Sequence, residues 1–356
     1  MRIGIVAPPW VPVPPVGYGG TESVIDRLAR GFVAAGHDVL LWTTGDSTCP
    51  VPSGWVLERA AGDQIGAAVV ELHHLILGYD AILDWGADVV HDHTLIGPIY
   101  ARRHPDLPVV TTNHGPFNDQ LSTLYRAVAD RTALIAISHD QASRGIRAGL
   151  AIDAVIHHGI DLDRYTPGPG TGDEEGEYHL FLGRMAPEKG ARCAVLSARE
   201  AGVRLLLAAK MREPLERRFF EEQVRPLLDD RIRYVGEVDL QQKVALLRGA
   251  RSLVNPIRWP EPFGLVTIEA LACGTPVVSF REGAAPELID DGVTGFLCDA
   301  DADIVGRLDD VARLDRTACR AAAEGRFGID RMVRDHLALY GRVVAQHRAR
   351  TLTEHR

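Results

Sequence analysis

Tyr165-Thr-Pro-Gly-Pro-Gly-Thr-Gly-Asp-Glu-Glu-Gly-Glu-Tyr178 is the stretch on which the fold turns. Alternating proline and glycine continue neither a helix nor a central strand, and the acidic group behind them buries nothing. The stretch reads as a linker between domains, because the chain on either side of it follows one design. Before it, β-branched runs at 3–7, 38–43, 89–91, 109–112, 134–137 and 154–156 predict strands, with helical patterns at 22–35, 65–78 and 138–149 between them. The first helix sets Val24, Ile25, Leu28, Phe32 and Val33 on one side at a 3.6-residue period and stops at Gly36. After the break a second series begins at once, with strands predicted at 179–182, 205–208, 232–235, 252–255 and 277–280. Such alternation means parallel sheets with crossover helices. The expected architecture is α/β, two Rossmann-like halves: a domain over 1–168, a linker over 169–178, a domain over 179–327, and a terminal helical segment, 328–356, packing back across the junction.

Composition is consistent with this. A length of 356 residues allows two full cores, and 46% hydrophobic with 24% charged residues excludes wholesale disorder. The net charge of −9 argues against a protein that coats nucleic acid, while allowing one basic cleft. Only Lys189, Lys210 and Lys243 are lysines; every other basic residue is arginine. Five scattered cysteines, none in a Cys-x-x-Cys pair, point to reduced thiols rather than a disulfide or zinc framework. No apolar run has the length of a membrane helix, and the first residues run from strand to loop without the pattern of a signal peptide. The expectation is a cytoplasmic protein.

In open parallel sheets, ligands sit beyond the carboxyl ends of strands. Three loops there carry chemistry. Trp259-Pro-Glu-Pro-Phe-Gly-Leu-Val-Thr-Ile-Glu269 follows a strand, and its Phe263-Gly264 opens a helix whose free amides suit a phosphate. Glu261 and Glu269 then reach two parts of one extended ligand, such as sugar hydroxyls and a ribose. The competing reading is a dipole-stabilised glutamate and an exposed helical one. In Phe181-Leu-Gly-Arg-Met-Ala-Pro-Glu-Lys189-Gly190, Arg184 and Lys189 either converge on a diphosphate or are a solvated pair, and Lys210 ends the next strand. The Gly17-Tyr-Gly-Gly-Thr-Glu22 loop lacks a G-x-G-x-x-G frame and an acid on the following strand, which argues against a dinucleotide site.

Taken together, Glu261-x7-Glu269, Gly183-Arg184 with Lys189-Gly190, Gly19-Gly20-Thr21-Glu22, His158-Gly-Ile-Asp161 and Pro286-Glu-Leu-Ile289 occur in an order that resembles the family 4 retaining glycosyltransferases of the GT-B fold. The resemblance spans the chain and is most specific in the second half. It implies two Rossmann-like domains facing a central cleft, with a nucleotide-diphospho-sugar donor, most often a UDP- or GDP-sugar, held by the second. By position, Arg184, Lys189 and the backbone at Phe263, Gly264 and Leu265 would hold the diphosphate. Glu261 would bind sugar hydroxyls, Glu269 the ribose, and Val235 would line the base pocket. Gly19 and Gly20 would close over the phosphates, and His114 would stand near the reacting sugar. His158 departs from the asparagine common in relatives, a change confined to a loop beside the cleft.

The implied reaction is sugar transfer with retention to an acceptor hydroxyl, with fixed cations and amides stabilising the leaving diphosphate and no metal or other cofactor. A GT-B nucleotide-sugar epimerase and a non-catalytic nucleotide-sugar binding protein are the alternatives. The mixed charges of the stretch 126–150 favour a soluble acceptor, whether a small molecule, natural product or glycan, over a lipid, and membrane association is not expected. His91 and His93 share one face of a strand end, either as two ligands of a metal that needs a third or as a pair lining the cleft. Asp299, Asp301 and Asp303 are expected to cap a helix. His73 and His74 are expected to pack or face a partner, and Glu287 has either a structural or a cleft role.

Overall fold

The computed structural model describes residues 1–354, with side chains to Arg350. It divides into two compact units, Met1–Gly159 together with the chain from Ile329 onward, and Ile160–Gly328. Each is built on one parallel sheet with helices between its strands.

In the first unit seven strands, β1 (Arg2–Val6), β2 (Asp38–Thr43), β3 (Ser53–Trp55), β4 (Val89–Asp92), β5 (Val109–Thr112), β6 (Thr132–Ala136) and β7 (Ala154–Val155), lie in the order β3-β2-β1-β4-β5-β6-β7. Every pair is parallel. In the second unit β8 (His179–Arg184), β9 (Leu205–Lys210), β10 (Ile232–Gly236), β11 (Leu253–Asn255), β12 (Val277–Phe280) and β13 (Gly295–Cys298) lie in the order β10-β9-β8-β11-β12-β13, again all parallel. Both orders run outward in two directions from a first strand. The order therefore reverses beside β1 in one unit and beside β8 in the other, and such a switch point opens a crevice at the carboxyl ends of the strands. The central strands are apolar on both faces because helices cover both: Ile3, Ile5, Val89, Val90, Leu205, Leu207, Val277 and Val278 are all buried.

Three expectations change. The chain passes between units at Gly159/Ile160 and not within 169–178, and the segment 160–178 belongs to the second unit. It buries two large side chains, Tyr165 and Tyr178, which are 1% and 2% exposed. Its glycines donate backbone bonds to that unit, Gly168 N–H to Cys273 O and Gly170 N–H to Arg248 O. Proline and glycine forbade regular structure there but not docking. The helix expected to stop near Gly78 runs Ala68–Trp85 and is capped by Gly86 in the left-handed region (φ 78°). Gly78 is a close-approach position instead, since a Cβ there would lie 2.5 Å from Cδ1 of Trp42. The edge strand β3 and the strand β13, too short and glycine-bearing to show a pattern, were not predicted. The terminal helix, Ile329–Glu354, is part of the first unit, where it packs on the helix Gly20–Ala34: a Cβ at Gly31 would sit 2.4 Å from Cγ2 of Val333.

Candidate functional site

The second unit brings most of the expected groups to its switch point. Arg184 ends β8, and Asn255 ends the neighbouring β11. The loop after β8 turns at Gly190 (φ 79°), where a Cβ would lie 2.1 Å from the carbonyl oxygen of Pro256, so the two loops touch backbone to backbone. Only glycine fits there. This contact brings Lys189 to Glu261, with Nζ 2.7 Å from Oε1 and the ammonium 5.5 Å from the centre of the Trp259 ring. Glu261 is seated from the other side by Gly283, whose Cβ position lies 2.5 Å from both the N and O atoms of Glu261.

Gly264, at φ 103°, starts the helix Leu265–Ala272. The Thr267 amide donates to Gly264 O, leaving the Leu265 and Val266 amides at the open end of the helix. A small, partly open pocket adjoins that end, lined among others by Asn255, Glu261, Phe263, Gly264 and Glu282. Phe263 is buried, edge-on to Phe327 at 6.4 Å, and so anchors the loop. One carboxylate oxygen of Glu261 is taken by Lys189; the other, Oε2, is buried with no hydrogen-bond partner among the described residues. The arrangement offers a cation, an acceptor and helix amides around one space, which is chemistry for a phosphate flanked by hydroxyls.

The other cations are organised by carboxylates that the sequence did not single out. Arg184 and Lys210 are register partners on β8 and β9. Arg184 donates to Glu188 at 2.8 Å and Lys210 to Glu213 at 3.0 Å, and both approach Glu216, at 3.7 and 3.6 Å. Glu216 is buried and its Oε2 accepts the amides of Arg212 and Glu213, closing the start of the helix Pro214–Phe219. Its signal was present as Glu213-Pro-Leu-Glu216, the spacing of a capping box. Lys189 is paired elsewhere, so the three cations form two ion-paired groups rather than one. Glu269 is buried, not exposed on its helix: Oε1 accepts from Tyr165 OH at 2.6 Å and from Lys243 at 2.8 Å, and Oε2 accepts from Lys243 at 2.9 Å. Val235 is exposed near the end of β10. Asp303 accepts the Asp299 and Ala300 amides, the capping role expected of the aspartate run.

In the first unit, Gly19 and Gly20 open the helix Gly20–Ala34. Gly19 has an extended backbone, and glycine is required there by Pro15, whose Cβ would lie 2.6 Å from an added Cβ. Glu22 follows in the first turn, buried, and burial raises its carboxyl to about 7. His74 is packing, as expected: Nε2 lies 3.0 Å from Ala7 O and the ring lies against Trp42. His91 and His93 line no surface, being 0% and 4% exposed. They lie behind His114, which follows β5 and is half-buried. The His91 ring packs on His336 and Tyr340 and the His114 ring on His93 and His158, and burial drives every one of these imidazoles down, His114 to about 3 and His336 to about 4. Sequence alternation put His91 and His93 on one face; the sheet register that adds His114 could not be read from it.

Two parallel-sheet units of this order define the GT-B class of α/β protein. The structure overlays on AviGT4, a glycosyltransferase involved in avilamycin A biosynthesis, with a TM-score of 0.70 and 25% identity over 97% of this chain and 98% of that one. It overlays on a sucrose-phosphate synthase of Thermosynechococcus elongatus with a TM-score of 0.80 at 20% identity, over 97% and 99% of the two chains. Residues 18–164 match the family described as Glycosyltransferase Family 4 and residues 176–313 the family described as Glycosyl transferases group 1. A glycogen synthase of Mycobacterium tuberculosis is 30% identical over 91% of this chain and 90% of its own. A phosphatidyl-myo-inositol mannosyltransferase of Mycolicibacterium smegmatis is 30% identical over 87% and 85%. The chain belongs to the family 4 glycosyltransferases. No helix among the described residues is long and apolar enough to cross a membrane.

Proposed function

We propose that this glycosyltransferase moves a sugar from a nucleotide-diphospho-sugar, a UDP- or GDP-sugar, to a hydroxyl of a small-molecule, natural-product or glycan acceptor, with retention and without a metal cofactor. The observation that carries the reading is Glu261: one carboxylate oxygen on Lys189, the other unpartnered beside the cavity at the open end of the helix Leu265–Ala272. Departure of a nucleoside diphosphate leaves negative charge on phosphate and positive charge on the anomeric carbon. Lys189, Arg184 and the Gly264-Leu265 backbone answer the first, and Glu261 lies where sugar hydroxyls need an acceptor. Glu269 takes the ribose, Val235 borders the base, and Gly19 and Gly20 serve the phosphates. His114 meets the reacting sugar, and the leaving phosphate takes the acceptor proton. The relatives named glycogen synthase and phosphatidyl-myo-inositol mannosyltransferase support transfer of a sugar to a hydroxyl acceptor.

The test is a panel of UDP-, GDP-, ADP- and dTDP-sugars, read first as cleavage without acceptor and then as transfer, with the anomer of the product assigned by NMR. Cleavage of one donor class that survives a strong chelator, and a retained anomer, are the expected results. Binding without cleavage would make the chain a carrier, and interconversion of donor sugars would make it an epimerase.

A further inference from the structure

His114 is held from several sides. Gln141 Nε2 donates to the carbonyls of Asn113 and Gly115, and Asn113 bridges to Gly115 in both directions, which fixes the turn that carries the ring. The His158 ring stacks on it at 5.2 Å and 20°. His93 Nδ1 lies 2.8 Å from His114 Nε2. At that distance one nitrogen carries the proton and the other the lone pair, and burial among the other histidines keeps both rings neutral at pH 7.

A second observation decides the direction of this bond. His93 Nε2 is buried and meets no hydrogen-bond partner among the described residues. If His114 donated, His93 would carry its proton on Nε2, a buried N–H with nothing to receive it. If His93 donates from Nδ1, its Nε2 is only a lone pair. An orphaned buried donor is rarer than an under-satisfied buried acceptor, so the second arrangement is the favoured one.

We infer that His93 is a positioning residue that sets the tautomer of His114: His93 donates from Nδ1 to His114 Nε2, so His114 carries its own proton on Nδ1 and presents an N–H donor to an oxygen of the ligand. The inference deepens the proposed function and rests on its placement of His114 at the reacting sugar. It gives His114 the work of a donor to a sugar or phosphate oxygen and removes it as the base for the acceptor hydroxyl, because its remaining nitrogen is already protonated.

The tautomer is read on the free protein, labelled with ¹⁵N-histidine at pH 7.5, with His114 assigned by the signal lost in His114→Gln. A pyrrole-like Nδ1 and a pyridine-like Nε2 are expected; the reverse pattern overturns the inference. His93→Asn keeps an N–H close to the place of Nδ1 and is expected to keep the tautomer and cleave the best donor of the panel within about threefold of wild type. His93→Leu is expected to mix the tautomers and lower kcat by roughly tenfold or more with little change in donor KM. An unmixed Nδ1–H form with unchanged kcat in folded His93→Leu also overturns it. A protonated Nδ1 in wild type together with a fully active His114→Gln keeps the tautomer and refutes the role given to His114 under the proposed function.

Discussion

Lys189→Met separates two jobs that one ion pair performs. Its ammonium holds Glu261 at 2.7 Å, with 10% of the lysine and 20% of the glutamate side chain exposed, and it sits over Trp259. Removing it leaves the Glu261 carboxylate with neither oxygen bonded. A fully buried broken pair costs about 3–5 kcal/mol, and partial hydration of Glu261 brings the expected loss of stability to about 1–3 kcal/mol. Under the proposed function the same change also deletes one donor to the leaving phosphate, and is expected to lower kcat by about 100- to 1,000-fold. Urea unfolding and initial rates of donor cleavage measure the two effects separately. Adding Glu261→Gln removes the stranded charge, so the double variant is expected to regain most of the lost stability while remaining slow. A Lys189→Met protein that cleaves donor within about threefold of wild type, or a double variant that regains rate along with stability, refutes the assignment.

Other perturbations test other parts of the molecule. Glu22 is held near 7 in the fold against an ordinary 4.5, so its contribution is full below pH 4.5 and is lost as pH rises to 7, an effect of about 3 kcal/mol. Glu22→Gln is expected to remove that slope and raise the pH 8 urea midpoint; an unchanged pH profile counts against it. His336 is held near 4, below its ordinary 6.5, so its contribution is full above pH 6.5 and is lost as pH falls to 4, again by about 3 kcal/mol. His336→Gln should lessen the acid-side slope, measured by denaturation at pH 4.5 and 7, without abolishing it, because His91, His93, His114 and His158 are held down as well. Gly283→Ala drives a Cβ into the Glu261 backbone at φ 55°, and is expected to cost about 2 kcal/mol and most of the donor cleavage. A normal rate in that variant would mean that the seat of Glu261 does not matter.

How much of this was legible depended on how far apart the partners lie in the chain. The helix start at Gly264, the strand ends at Arg184 and Lys210, and the parallel sheets follow from local pattern, and they stand as read. The partners of the charged groups do not follow. Lys189 finds Glu261 across 72 residues and Tyr165 finds Glu269 across 104, contacts set by strand order that no spacing rule contains. Glu269 shows the consequence: its helical position allows exposure, and a tyrosine from the supposed linker buries it. The composition of 165–178 told what its backbone could not form, and nothing about where its two tyrosines would dock. The histidines behind His114 were half visible, since alternation aligned His91 with His93 while the third ring arrives from the next strand.

Every cation discussed in the second unit already holds a carboxylate: Lys189 has Glu261, Lys243 has Glu269, and Arg184 and Lys210 have Glu188, Glu213 and Glu216 between them. Each acid is therefore a tethered rival to any incoming anion, present at high effective concentration and never diluted away. Free phosphate must displace that rival on charge alone. A ligand that also brings hydroxyls for the displaced carboxylate gives both members of the pair a new partner. If the donor binds at these pairs, selectivity against simple anions begins inside the fold, before any base or sugar is recognised, and donor affinity is expected to depend only weakly on salt.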